Sequence, residues 1–256
     1  IQKIYFESVL IDGMYMSFDL HSDTRATSKK EFNYLSESKM NILNKGLKES
    51  EWLMITLGTA WSHTYLKSNT MVANCHKLPQ KDFKKKLLSV EFILQEFKEL
   101  HTLLSQFNPK LKILFTISPV RHIQDGLPEN TLSKSILHLA VHDIIKKYNQ
   151  CYYFPAYEIM IDELRDYRFY KTDLIHPNDL AIDYIWSQFT NTFFDKTTLE
   201  FYKELKILFK SIEHKPFNPK SDKHQIFIRE TLSKTKALSE TINLKKEIEQ
   251  LLQLLK

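Results

Sequence analysis

The segment Asp173-Leu-Ile-His176-Pro177 sets a carboxylate three residues ahead of an imidazole. In a turn that enters a helix, that spacing lets the acid hold one ring nitrogen. The other nitrogen is then free to take a proton from a nucleophile. The same five residues also describe a surface histidine beside a helix cap. Pro177 suits a first helical turn, and Asn178 or Asp179 suits the cap of a helix over 179–194.

Glycine is scarce, 4 in 256 residues, so each is expected where the backbone demands it. Gly58 and Gly126 fall just after apolar runs that read as strands. In open α/β sheets, ligands bind beyond the carboxyl ends of the strands. Gly58-Thr-Ala-Trp61 and Ser118-Pro-Val-Arg-His122 are therefore both expected on the functional rim. Arg121 suits a carboxylate or phosphate on a substrate, or an ion pair with Asp125 or Glu158. Trp61, Tyr167 and Tyr170 suit a pocket lining or a core.

Other pairings carry less chemistry. Cys75-His76 are sequence neighbours, which rarely face each other, so an inert thiol is expected. His138 and His142 lie four apart on a helical pattern without a companion acid and read as surface residues. There is no HExxH or CxxC spacing and no glycine-rich phosphate loop, so neither a metal nor a cofactor is expected. The acidic and basic residues Asp162, Glu163, Arg165, Asp166 and Arg168 are expected to form an ion-pair network that steadies the loop before Asp173.

The elements that must position these groups follow from periodicity. Met14–Phe18 alternates like a strand, after an apolar stretch holding Tyr5, Phe6, Val9, Leu10 and Ile11. Ser38–Lys48 suits a helix. Trp52–Leu57, Leu111–Ile117 and Cys151–Phe154 read as buried parallel strands. Residues 81–107 read as one helix, through Phe83, Leu87, Val90, Leu94, Phe97 and their successors, ended by Asn108-Pro109. Further helices are expected at 131–148, 156–164 and 179–194. Strands alternating with helices at this spacing imply a parallel sheet with right-handed crossovers. From about residue 198 only helical patterns remain, divided by Pro216 and Pro219. The expected division is a sheet-containing domain over 1–195 and a helical extension over 196–256.

Composition fits a globular chain: 43% hydrophobic and 26% charged. No apolar run reaches the length of a membrane span. Residues 201–256 hold 12 Lys and Arg against 7 Asp and Glu, which accounts for the whole net charge of +5. The two signs are interleaved there, so a solvated helix face is expected rather than a nucleic-acid partner. Two cysteines fit a reducing compartment, so the expected location is cytoplasmic. The chain opens on Ile1 without a signal-peptide pattern, and it is expected to lack an upstream segment.

Several longer segments together carry a resemblance. They are Ile55-Thr-Leu-Gly-Thr-Ala-Trp61, Val72-Ala-Asn-Cys-His-Lys-Leu-Pro79 and Phe115-Thr-Ile-Ser-Pro-Val-Arg-His122 with Asp125-Gly126. To these add Asn130 with Ser133-Lys134, Tyr153–Glu158, Asp162–Tyr170, Asp173–Pro177 and His214–Pro219. The chain resembles the GSCFA family, a bacterial family similar to SGNH/GDSL hydrolases, over nearly its whole length. The resemblance implies an α/β fold: a three-layer α/β/α flavodoxin-like parallel sheet with a C-terminal helical extension. It also implies hydrolysis of acyl or acetyl esters, on a small-molecule or glycan substrate, with Asp173 and His176 as the dyad behind a serine.

The departures from the family pattern concern the same chemistry. The Gly-Ser-Cys-Phe-Ala segment that supplies the implied serine is not in this sequence, nor is the Pro-Phe-Gly-like turn that follows it. Where the superfamily offers an oxyanion-hole Asn, Ala60 stands; Gly58, Thr59 and Asn74 are the substitute candidates. A missing oxyanion donor costs on the order of a hundred- to a thousand-fold in rate. The alternative is a catalytically degraded or carbohydrate-binding domain of the same fold. Without a central first strand, buried edges would be exposed, so residues 1–256 alone are expected to fold poorly or aggregate.

Overall fold

The structure is a computed structural model that describes residues 6–218 and 221–255. Tyr5 and Pro219, both used above, lie outside the described residues. The chain divides into two compact units, residues 1–185 and 186–256.

The first unit is α/β. It opens with a hairpin of β1 (Val9–Ile11) and β2 (Met14–Met16), paired antiparallel. Asp12 and Gly13 form its turn at φ 49° and 76°, the double left-handed geometry that an Asp-Gly pair favours. Helix α1 (Lys29–Glu49) follows, with the Ser28 hydroxyl accepting from the Glu31 N–H as its cap. The helix expected at 38–48 is thus longer by two turns at its start.

Strands β3 (Trp52–Leu57), β7 (Lys112–Ile117) and β8 (Cys151–Phe154) form a parallel sheet in the order β3-β7-β8. Its central strand is buried on both faces: Ile113, Leu114, Phe115 and Ile117 are each at most 3% exposed. Against one face pack Phe97 and Leu104 of α2 (Val90–Phe107) and Val141 and Ile144 of α3 (Leu127–Lys147). Truncating a ring such as Phe115 to Ala would cost about 3–5 kcal/mol. β3 lies at an edge of this sheet, with Met54 exposed.

The single helix expected over 81–107 is corrected. Residues 80–82 form a 3₁₀ turn, and Phe83–Leu87 is strand β6. β6 pairs with β4 (Trp61–Tyr65), which pairs with β5 (Thr70–Val72), in an antiparallel sheet of order β5-β4-β6. Phe83 and Leu87 are four apart, a spacing that puts two residues on one face of a helix and equally on one face of a strand. The Ser89 hydroxyl accepts from the Phe92 N–H and starts α2 at Val90.

After β8, residues 156–164 are not one regular helix: α4 (Ala156–Glu158) runs into a π-helical turn, Ile159–Glu163. Helix α5 (Asp179–Phe193) carries the boundary between the units within its length. The second unit packs α6 (Lys196–Glu213), α7 (Asp222–Leu238) and α8 (Lys245–Leu254) around Leu208, Ile212, Ile228, Leu232, Leu244 and Leu251. Its first residues form an aromatic cluster in which Trp186 Nε1 donates to Tyr202 Oη at 2.6 Å. Among the described residues, no helix is long and apolar enough to cross a membrane.

Candidate active site

The loop from Tyr170 to Pro177 is held closed on itself. Tyr170 and Pro177 pair as an isolated bridge, and the Lys171 N–H donates to His176 O at 2.8 Å. Asn178 fixes its exit: Oδ1 accepts from the Ala181 N–H at 3.1 Å, capping α5, and Nδ2 donates to Arg168 O at 2.6 Å. Of the two caps proposed from sequence, Asn178 therefore serves; Pro177 stays outside the helix. Leu174, at φ 57°, makes the tight bend between the acid and the histidine.

Within this loop Asp173 and His176 meet. His176 Nδ1 lies 2.7 Å from Asp173 Oδ2. The other carboxylate oxygen, Oδ1, accepts from the backbone N–H groups of Ile175 at 2.8 Å and His176 at 3.0 Å. These two N–H groups, with the imidazole after them, hold the Asp173 carboxyl down to about 2. The acid thus stays charged, and its bond to Nδ1 orients the ring. Among the described residues Nε2 has no partner, in a ring that lines a cleft of 820 Å³.

That cleft is formed by the strand-end loops and the antiparallel sheet. Thr59, Trp61, Phe83, Lys85, Arg121 and His122 join His176 in its walls. Gly58 follows β3 directly; a Cβ there would stand 3.6 Å from His122 Nε2. The His122 N–H donates to Asn130 Oδ1 at 2.9 Å, and burial lowers the pKa of its ring. Arg121 has found neither of the acids considered from sequence. Nη1 donates to Leu174 O at 3.2 Å, Nη2 donates to Tyr170 Oη at 3.1 Å, and the guanidinium lies 4.3 Å from the centre of the Tyr170 ring. Asp125 instead pairs with Lys85, and Glu158 accepts from the Tyr153 hydroxyl.

The Thr59 hydroxyl is part of a chain. Ser133 Oγ accepts from the Ala60 N–H at 2.7 Å and lies 2.9 Å from Thr59 Oγ1, which accepts from the Trp61 N–H at 3.2 Å. Ala60 itself is fully buried. Asn74 stands elsewhere: Nδ2 donates to Ser22 Oγ at 3.1 Å and Oδ1 accepts from the His76 N–H at 2.8 Å. The structure therefore brings His176, Thr59, Arg121 and His122 to one cleft, with Asp173 behind His176 and Gly58 against His122, while the Asn74 side chain is engaged in a separate turn.

Lys134 is a buried group whose role sequence reasoning missed. Only 2% exposed, it reaches up from α3 and donates to Gly58 O and Ser118 O, each at 2.6 Å. Burial lowers its pKa to about 8. The available signal was a lysine on the face of α3 that also carries Leu137, Val141 and Ile144.

Cys75 lines the cleft, and burial raises its thiol pKa. The His76 ring points to Ser17 O and Ser22 Oγ rather than to that thiol. His138 is corrected from a surface residue: it is half-buried against Tyr157 and Tyr153, and its Nε2 has no partner among the described residues. α3 turns that face toward β8, which sequence spacing alone does not reveal. In the charged run before Asp173, among the described residues, Arg168 pairs with Asp166 at 3.0 Å, and Glu163 accepts from the Tyr184 hydroxyl. Tyr170 is buried, whereas Tyr167 is largely exposed.

Comparison with known proteins gives two family matches. The GSCFA family model matches residues 2–189. The model described as the GSCFA domain protein, C-terminal domain, matches residues 205–256. No curated protein and no solved structure matches the chain.

Proposed function

The chain belongs to the GSCFA family, and from that premise we propose that it is the body of an SGNH/GDSL-like hydrolase of acyl or acetyl esters, with a three-layer α/β/α arrangement. The observation that carries this reading is the 2.7 Å contact between His176 Nδ1 and Asp173 Oδ2 at the wall of the cleft. An acid pinned by two backbone N–H groups fixes the ring with Nε2 as proton acceptor. A serine brought to that nitrogen gives up its proton as it attacks the ester carbonyl. His176 then returns the proton to the departing alcohol, and water repeats the cycle on the acyl-enzyme. In this reading the serine comes from a segment outside these 256 residues.

Thr59 takes the role of an oxyanion donor. If the Ser133 hydroxyl donates to Thr59 Oγ1, that oxygen accepts from both Ser133 and the Trp61 N–H. The proton of Thr59 is then free to point into the cleft that it lines. Ala60 favours a second reading, a binding domain with a weakened site: it offers no side-chain donor, and its N–H is committed to Ser133.

The test uses the protein together with any segment encoded upstream of Ile1. It is treated with a fluorophosphonate serine probe beside a His176→Ala variant. Labelling that is lost in the variant supports the hydrolase. A folded protein that never labels overturns it in favour of the binding domain.

A further inference from the structure

We propose that the cleft selects an anionic ligand, and that Arg121 is the residue that holds the carboxylate or phosphate group. On the hydrolase reading this names the substrate class, an ester that carries a negative charge beside an apolar or ring-shaped body. Binding does not depend on turnover, so the inference is tested apart from that reading.

Among the described residues, the cleft walls hold two permanent cations, Lys85 and Arg121, and one carboxylate, Asp125. Lys85 and Asp125 neutralise each other as an ion pair. Asp173, behind the wall, is bound to His176 and to two backbone N–H groups. Arg121 is left with no carboxylate in ion-pair range among the described residues. Its hydrogen bonds go to a backbone carbonyl and a phenol, both neutral. A guanidinium has five N–H donors, so most of its capacity remains for a ligand.

The guanidinium is also held in place before any ligand arrives. The Tyr170 ring lies 4.3 Å beneath it and the Tyr167 ring 5.7 Å away, while Leu174 O and Tyr170 Oη fix its rotation. A planar fork fixed on an aromatic face suits two-point recognition of a carboxylate or phosphate. The Leu174 carbonyl is two residues from His176, so an anion on Arg121 sits beside the dyad. Trp61, Leu78 and Phe83 supply apolar surface across the same cleft for the rest of the ligand.

Three probes test this by calorimetry on the wild-type protein, together with any segment encoded upstream of Ile1: phenylacetate, phenyl phosphate and phenylacetamide, the last being the uncharged counterpart of the first. The expected result is that at least one anion binds about ten-fold more tightly than the amide, with Arg121→Gln removing that preference. Which anion binds more tightly separates a carboxylate ligand from a phosphate one. Equal binding of all three, no binding of either anion, or an unchanged preference in a folded Arg121→Gln variant would each overturn the proposal. Should Arg121→Gln fail to fold, Arg121→Lys replaces it: it keeps the charge but loses the fork, and an undiminished preference there overturns two-point recognition. Fluorophosphonate labelling without an anion preference sinks this inference and spares the hydrolase. A preference without labelling does the reverse.

Discussion

Lys134 Nζ donates to the carbonyl oxygen of Gly58 at 2.6 Å, reaching from the middle of α3 to the end of β3. The same ammonium group donates to Ser118 O at the end of β7, so one buried cation fastens the two loops that carry the cleft. Replacing Lys134 with Met should cost on the order of 2 kcal/mol, because two buried carbonyl acceptors lose their donor. Urea denaturation of the two proteins measures this. The difference should also depend on pH. The lysine titrates near 10.5 when unfolded and at about 8 when folded. Between those values the unfolded chain binds more protons, so wild-type stability rises relative to Lys134→Met as pH increases from 8 to 10.5. A difference that stays constant across that window would contradict the assignment.

Asp173→Asn should keep the shape of the loop but offer His176 Nδ1 the wrong partner. On the proposed mechanism, kcat falls by roughly a thousand- to ten-thousand-fold while KM changes little. Steady-state kinetics on an activated ester would show it. A loss confined to KM would place Asp173 in binding instead.

Thr59→Val removes the hydroxyl proposed to meet the oxyanion and should lower kcat by about a hundred-fold, whereas Thr59→Ser should retain most of the rate. Comparing the two separates the hydroxyl from the methyl group. Equal losses would point to packing against Ser133.

The edge position of β3 leads to a prediction about association. Among the described residues β3 pairs with β7 alone, and its Met54 is 60% exposed, an invitation to strand pairing. The 256-residue chain should self-associate in light scattering, and Met54→Lys should reduce that. A monodisperse, cooperatively melting wild-type chain would remove the basis for the prediction.

The parallel strands were legible because each is a short apolar run between breakers, and Trp52–Leu57 appears with the expected ends. The contact of Asp173 with His176 was legible for a related reason: the two lie three apart, so a single local turn brings them together. β4 and β6 were not, because their pairing is long-range and Phe83 with Leu87 fits either period. Lys134 was hidden too. A lysine normally signals solvent, and only the position of α3 under two strand ends shows that its charge is met by carbonyls. Arg121 had two acids within reach in the sequence, Asp125 and Glu158, and the fold pairs both with other groups.

Leu174 keeps a left-handed backbone with a full side chain attached, at a cost on the order of 1 kcal/mol. The bonds that offset it, from Arg121 to its carbonyl and from the next two N–H groups to Asp173, are close to solvent. Segments of this kind open long before the sheet beneath them melts. Gentle warming or dilute denaturant would therefore unseat the histidine while every spectroscopic measure of folding stayed intact. A preparation judged by its melting curve would then overstate the fraction of molecules able to work, and cooling would restore the rest without refolding.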